Sequence, residues 1–374
     1  MIRVAQIIGK WHGGGVEAVV MNYYRHVDRS KVQFDFFCDS DSTCIPYEEI
    51  NKLGGRVIII PPYQKIFRYL NELKKLFKNN EYKIVHSHIS TLSVFPLYAA
   101  KKAGVPVRIA HSHSTSNKKE WKKNILKNLL RPFSKKYATD YFCCSELAGR
   151  YLFGSRCYDD GKVFLLKNAI DVNRFQFNSD IRNLKRKELE INEDTLIIGH
   201  VGRFVTQKNH SFLIEIFSEL LKIHSNSKLL LVGKGPLFDE INRKVDGLNI
   251  SDKVIFLGQR ADVNELYQAF DAVILPSLYE GLVVVLVEAQ CAGLPCLSST
   301  EISNETQITE NLKLISLKES ASEWAKEILN LYTNHKRCQT LNKLNQSGYN
   351  INIEAIKLEK FYLEKQNCNK NTIL

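Results

Sequence analysis

This sequence predicts two doubly wound α/β domains, each built on a parallel sheet. Three observations carry that reading. Apolar runs of four to six residues alternate with longer helical stretches along the whole chain. The runs fall into two series, with a break over Ile170–Asn178. At 374 residues the chain is long enough to give each of two domains its own core.

The first series of strands reads Arg3–Ile8, Gln33–Cys38, Arg56–Ile60, Ile84–His88, Val107–His111, Asp140–Cys144 and Val163–Leu166. These runs are rich in β-branched and aromatic residues and poor in charge, as expected of strands covered on both faces. The second series starts at Leu196 and continues through Leu229–Val232, Val254–Leu257, Ala272–Leu275, Pro295–Ser298 and Leu312–Ser316. A parallel strand pair needs a long crossover, which the intervening helical stretches supply. After Ala272–Leu275 a helix is expected from about Leu282 to Ala292, where Gly293 and Pro295 stop it. The segment Ile351–Glu364 is helical in pattern again.

Composition narrows the classes. With 44% hydrophobic and 25% charged residues the chain is globular rather than disordered. No apolar run approaches the roughly 18 residues of a membrane span. Met1-Ile2-Arg3-Val4 enters a strand directly, so no leader is expected. Nine cysteines without a C-x-x-C pair are expected to be reduced thiols in a cytoplasmic protein. Charge is uneven: residues 1–175 hold 29 Lys and Arg against 15 Asp and Glu, a net +14, whereas the remainder holds 23 against 25. The first half therefore calls for an anionic partner.

The richest motif is PSLYEGLVVVLVE, Pro276–Glu288, where a buried strand turns into a helix. Glu280 stands in the loop and Glu288 about two turns inside the helix. The free N–H groups of Gly281, Leu282 and Val283 lie at the helix start between them, an anion site. Phosphates there, with hydroxyl-rich groups at either end, describe a nucleotide sugar. Two solvated glutamates on an ordinary strand–helix unit are the plainer alternative. HVGRFVTQKNH, His200–His210, puts Arg203 and Lys208 on a loop at the carboxyl end of a strand, the edge where open α/β sheets bind ligands. Arg203 can grip a phosphate with its fork, and Lys208 is a mobile point charge.

The first half carries three further features. KWHGGGV, Lys10–Val16, places Gly14 and Gly15 ahead of a helix, where the backbone can approach a bound group or merely turn tightly. His86/His88 and His111/His113 form two H-x-H pairs at strand ends, each pair on one face. Metal ligation needs further ligands at suitable spacing, and none is evident, so these read as hydrogen-bonded histidines lining a cleft. Lys118–Lys136 combines an apolar stripe (Trp121, Ile125, Leu126, Leu129, Leu130, Phe133) with eight basic residues and one Glu. That pattern suits an anionic membrane surface or a core-facing helix with a solvated back, and Pro132 limits its length.

Together these motifs resemble the retaining GT-B glycosyltransferases of the GT4 group, exopolysaccharide and capsule-synthesis enzymes among them. The resemblance spans nearly the whole chain. It rests on Gly13-Gly14-Gly15-Val16-Glu17, the two HSH triplets, KNAIDVNRF (167–175), VGRFVTQKNH (201–210), LLVGKGPL (230–237), FLGQRADVNELY (256–267) and the Glu280/Glu288 pair. Val283 departs from the pattern, since the family more often has Gly or Pro there, and its branched side chain could crowd a diphosphate.

The resemblance implies two Rossmann-like domains facing a central cleft. Residues 1–170, joined by a C-terminal helix (350–374) that crosses back, would form the acceptor side. Residues 171–349 would bind the nucleotide sugar. It implies transfer of a sugar, with retention, from a nucleotide diphosphate donor such as a UDP-sugar to a lipid-linked glycan. Arg203 and Lys208 would stabilise the leaving diphosphate in place of a metal, and no cofactor is expected. Glu280 would hold sugar hydroxyls, Glu288 the ribose, His111 a sugar hydroxyl or phosphate, and Gly258-Gln259-Arg260 the base. An anionic membrane surface is an expected partner, on the inner face of the cell membrane. The rivals are a nucleotide-sugar epimerase or sugar phosphorylase of similar architecture and a basic nucleic-acid-binding protein. The chain has no Gly-rich dinucleotide signature, no pyridoxal-lysine motif and no nucleic-acid reading module, so nucleic acid is not an expected partner.

Overall fold

The computed structural model describes residues 1–113, 128–280, 283–335, 337 and 339–370. It divides into two compact units, Met1–Ala169 with Asn350–Leu374, and Ile170–Tyr349. Among the described residues are thirteen strands: β1 Ile2–Gly9, β2 Val32–Asp39, β3 Arg56–Ile60, β4 Ile84–Ser87, β5 Val107–Ser112, β6 Asp140–Cys143, β7 Val163–Leu165, β8 Leu196–Val201, β9 Ser227–Val232, β10 Val254–Gly258, β11 Ala272–Leu275, β12 Cys296–Ser299 and β13 Leu312–Ile315. Each begins within two residues of the run read from the sequence and ends within one, except β8, which runs three residues past the apolar run Leu196–Ile198.

The first unit is a seven-stranded sheet in the order β3-β2-β1-β4-β5-β6-β7, and every pairing is parallel. Alternation along β1 divides its side chains between two cores. Val4 and Ile8 join Phe34, Phe36 and Phe142 under helices Gly15–His26 and Ile351–Lys370. Ala5 and Ile7 join Tyr69, Leu73 and Phe77 on the opposite face. Tyr362, on the helix Ile351–Lys370, is fully buried against Phe34, with ring centroids 6.1 Å apart. That helix runs six residues beyond the expected Glu364.

The second unit repeats the design with six strands in the order β10-β9-β8-β11-β12-β13, all parallel. Leu196 and Ile198 face the core with Leu213, Phe217 and Trp324, while Ile197 faces the one with Tyr267, Phe270 and Leu286. Gly199 must be glycine, because a Cβ there would lie 2.1 Å from the Phe270 ring. Both sheets reverse their winding direction beside the first strand, between β1 and β4 and between β8 and β11. That is where open α/β sheets leave a ligand crevice at the strands' carboxyl ends.

Most of the basic stretch Lys118–Lys136 lies outside the described residues. Its last part is helical at 128–130, and Pro132 then opens a short 3₁₀ turn, Arg131–Phe133. Leu129 and Phe133 of the apolar stripe are exposed there, at 66% and 44%.

Candidate active site

In the second unit, two loops meet at the reversal point. After β8 the chain runs through Gly202 and Arg203 to a 3₁₀ turn, Thr206–Lys208, and a left-handed Asn209 before the helix His210–Ile223. After β11 it runs through Pro276–Glu280. Leu278 N–H donates to Gln207 O at 2.9 Å. The Gln207 and Asn209 amides donate to Tyr279 O and Pro276 O at 3.0 and 3.1 Å. These bonds set Lys208 Nζ 2.6 Å from Glu280 Oε1, with the two side chains only 15% and 12% exposed. The contact is an ion pair whose angles do not suit a hydrogen bond. The Lys208 stem crosses Gly202, where a Cβ would stand 3.4 Å from its Cδ and Cε. Glu280 N–H is anchored to Glu301 O at 3.1 Å. Residues from two separate sequence motifs thus form one charged pair. Arg203 does not join it: the side chain is exposed and, among the described residues, makes no ion pair.

Glu288 lies on the helix Val284–Cys291, part-buried, with the Tyr267 hydroxyl 3.0 Å from its Oε2. Burial pushes its carboxyl up to about 7, although the Tyr267 hydrogen bond and Arg174 act the other way. Gly281 and Leu282 lie outside the described residues. Val283 caps the helix start and is 3% exposed, packed in the core with Leu286 and Phe270. Its side chain is therefore directed inward, not at a diphosphate on the loop. The helix begins at Val284, two residues later than expected.

The base-gripping stretch departs from expectation at Arg260. Gly258 has φ +65° and Gln259 is exposed, but the Arg260 guanidinium is held by Asp262 at 2.6 Å and Glu188 at 3.2 Å. Lys185 joins the same cluster, 2.9 Å from Asp262. Glu265, 2.8 Å from Lys185, completes a cluster in which Arg260 is paired with carboxylates of its own unit.

In the first unit a cavity of about 500 Å³ opens at the reversal point between β1 and β4. Its lining includes Lys10, Glu17, Asp39, Asp41, His88 and His113. Gly14 caps the helix Gly15–His26, whose first turn carries Glu17. Glu17 Oε1 accepts from His12 N–H at 3.1 Å, and a Cβ on Gly14 would lie 2.8 Å from Glu17 Oε2. Gly15 has open space around it.

His111, expected to contact the ligand, is only 1% exposed and instead packs behind the wall. Its Nδ1 is 3.1 Å from His86 Nε2, and its ring lies tilted at 3.9 Å from that of His113, which with His88 lines the cavity. Alternation explains the error: His111 and His113 share a face, but β5 ends at Ser112, and only the residue beyond the strand lies at the rim. His86, His88 and His111 each bring a ring nitrogen within 4.8 Å of the others, close enough to raise the question of a metal. Five of their six ring nitrogens are engaged otherwise, and His111 Nε2 is buried without a hydrogen-bond partner. His86 Nδ1 is 2.6 Å from the Tyr362 hydroxyl, and His88 Nε2 is 2.8 Å from Gln6 Oε1. Burial holds all three well below the usual histidine range and His113 at about 3, so the cluster is neutral. Asp39, ending β2, is buried and its carboxyl is pushed up to about 6 by desolvation and by nearby Asp41. Sequence reasoning passed over Gln6, Asp39 and Tyr362. Only Asp39, at the carboxyl end of a strand, carried a signal.

Two family models cover the chain, Glycosyltransferase Family 4 over residues 13–174 and Glycosyl transferases group 1 over residues 181–350. A protein of Bacillus subtilis (strain 168) bearing the glycosyltransferase name EpsF is 39% identical over 335 residues, covering 87% of this chain and 86% of that protein. The chain belongs to the GT-B glycosyltransferases. Within that family it is 24% identical, over 94% of both chains, to the Escherichia coli UDP-Gal:alpha-D-GlcNAc-diphosphoundecaprenol alpha-1,3-galactosyltransferase. Staphylococcus aureus CapH, named a capsular polysaccharide biosynthesis glycosyltransferase, is 26% identical over 98% of this chain and 99% of its own. Among solved structures, Anabaena HepE in complex with UDP-glucose shares the fold over the full length of both chains, with a TM-score of 0.73 and 17% identity.

Proposed function

We propose that this glycosyltransferase moves a sugar from a UDP-linked donor to a hydroxyl of a lipid-linked glycan, with retention at the anomeric carbon, in extracellular or capsular polysaccharide synthesis. The Lys208–Glu280 pair at the β8/β11 reversal point carries the proposal. A part-buried ammonium beside a carboxylate can meet charge developing on a leaving diphosphate while the carboxylate holds sugar hydroxyls. Exposed Arg203 is free to grip the distal phosphate. Glu288 accepts the ribose hydroxyls. The names of the E. coli and S. aureus relatives support the donor, the lipid-diphosphate acceptor and the pathway. A panel of UDP- and GDP-sugars tests the reading by thermal stabilisation, since a ligand of the native state raises stability with the logarithm of its concentration over Kd. Stabilisation by GDP-sugars alone would move the donor class, and none by either would sink the assignment.

Fixed cations take the place of a metal in this scheme. Activity is therefore expected to survive excess EDTA; loss on chelation, restored by Mg²⁺ or Mn²⁺, would refute the metal-free mechanism.

A lipid-linked acceptor also calls for a place at the membrane. No helix among the described residues is long and apolar enough to cross one. We propose peripheral attachment to the cytoplasmic face through Lys118–Lys136, where each basic group near an anionic surface contributes about 1 kcal/mol. Replacing Lys118, Lys119, Lys122 and Lys123 by Gln should release the protein from anionic vesicles and leave UDP-sugar affinity unchanged. Cosedimentation reads it: equal binding to neutral vesicles, or no effect of the four changes, returns the segment to an ordinary surface role.

A further inference from the structure

Tyr267, on the helix Val263–Ala269, is fully buried, its ring set against Phe175 and Phe270 at centroid distances of 5.9 and 5.8 Å. Core packing accounts for the ring, and phenylalanine would serve it as well. It does not account for the hydroxyl, which lies 3.0 Å from Glu288 Oε2 and 3.2 Å from Val285 O. Burial raises the phenol well above its ordinary range, so the hydroxyl keeps its hydrogen.

A hydroxyl has one hydrogen to give, and here two acceptors compete for it. Val285 O belongs to the helix Val284–Cys291, whose own ladder supplies it with an N–H. Among the described residues, Tyr267 is the one side chain that donates to the Glu288 carboxyl. When that carboxyl is ionised it is the stronger acceptor and takes the hydrogen. When it is protonated, the hydroxyl can turn to Val285 O and the carboxyl is released. The bond to Oε2 leaves Oε1 without a protein partner, on a residue that is only part-buried. A carboxylate held at one oxygen cannot turn about its last torsion. Oε1 and the remaining lone pair of Oε2 then stand at a set spacing, a match for the two adjacent hydroxyls of a ribose.

The other ionisable groups nearby do not hold the carboxylate. Arg174, bonded to Asn264 Oδ1 at 3.2 Å, favours the ionised form through its charge but makes no ion pair with it. Cys291 on the same helix and Cys296 on β12 are thiols raised by burial, so both are neutral.

We infer that Tyr267 is a positioning residue of the nucleotide site: its hydroxyl locks the ionised Glu288 carboxylate for two-point capture of a ribose, and so makes the site select ribonucleotides over 2′-deoxyribonucleotides. The inference rests on the transferase reading above and adds to it a residue and a selectivity, both active only when Glu288 is ionised.

Calorimetric titration of the full chain with UDP and with 2′-deoxy-UDP, on both sides of neutrality, tests it. Above pH 7 the unchanged protein should prefer UDP by about tenfold or more, and the preference should shrink below that pH as Glu288 takes up its proton. Tyr267→Phe should weaken UDP about tenfold and 2′-deoxy-UDP scarcely, so that the preference is lost at every pH. The lost hydrogen bond favoured the ionised carboxyl. The pH at which UDP affinity levels off should therefore move up by about one unit, the equivalent of that tenfold change. In a Glu288→Ala background Tyr267→Phe should leave UDP binding unchanged, since it acts through that carboxylate alone. Equal weakening of both nucleotides, or a loss that persists in the Glu288→Ala background, would make Tyr267 a packing residue and overturn the inference. The failures separate. If the unchanged protein does not bind UDP, the transferase reading falls and takes this inference with it. If UDP binds and Glu288→Ala does not weaken it, Glu288 leaves the ribose and this inference goes too. If Glu288→Ala weakens UDP and Tyr267→Phe does not, only this inference falls. Should Tyr267→Phe fail to melt cooperatively, Tyr267→Met carries the test.

Discussion

Replacing Lys208 by methionine should lower kcat/KM by about 10²- to 10³-fold, the scale on which a preorganised charge-stabilising group acts. The side chain is largely buried and its ammonium is already placed by the Gly202 backbone beneath it and by Glu280 at 2.6 Å. Nothing needs to reorganise when the diphosphate leaves, so the loss should fall mainly on turnover. Glu280→Gln should likewise lower turnover more than donor affinity, because its contacts to the sugar tighten as the ring flattens toward the transition state. The ion pair adds a coupling: each partner positions the other, so the double variant should be scarcely worse than the poorer single one. Initial rates with the donor found in the stabilisation panel decide it. Fully additive losses would show that the two residues act separately, and near-normal turnover in Glu280→Gln would remove that residue from the mechanism.

Glu288→Gln should weaken UDP binding by about 10- to 100-fold, the worth of hydrogen bonds to a charged group. The free carboxyl titrates near 7. Ribose hydroxyls donate to its ionised form, so binding below that pH must expel a proton and affinity should rise with pH until it levels above 7. Calorimetry in two buffers of different ionisation enthalpy measures the proton directly; no release at pH 6 would separate Glu288 from the ribose. Stability runs the opposite way. The folded value lies above the ordinary 4.5, so the group's contribution is complete below 4.5 and is lost as pH rises through about 7. Glu288→Gln should therefore stabilise the free protein above pH 7, by on the order of 2 kcal/mol, while it binds nucleotide less well.

The sheets were legible because each strand is an uninterrupted apolar run, and a run buried on both faces has few other ways to satisfy itself. Lys208 and Glu280 were legible as members of strand–loop motifs, but their pairing was not. It depends on three hydrogen bonds between loops some seventy residues apart, and none of those bonds leaves a periodic trace. His111 and His113 were indistinguishable by alternation, and a one-residue difference in where β5 stops exchanged wall for interior. The pairing of Arg260 was hidden for a different reason. Its neighbour Asp262 was visible, but Glu188 and Lys185 reach it from a helix that begins at Ser179. Gln6 and Tyr362, 356 residues apart, could be matched only after the last helix was placed on the first strand.

That last helix also bears on how the polypeptide emerges from the ribosome. Residues up to Ala169 are made first, yet one face of their sheet, covered in part by the helix Gly15–His26, stays incomplete until Leu358 and Tyr362 arrive to join Phe34 and Phe142. The intervening Ile170–Tyr349 is contiguous and can close its own cores beforehand. Translation at about 5–20 residues per second leaves the nascent first half waiting on the order of ten to forty seconds, part of its aromatic surface bare, while the second half is synthesised and folds. The unit begun first is completed last, and throughout that interval it is a natural client for chaperones.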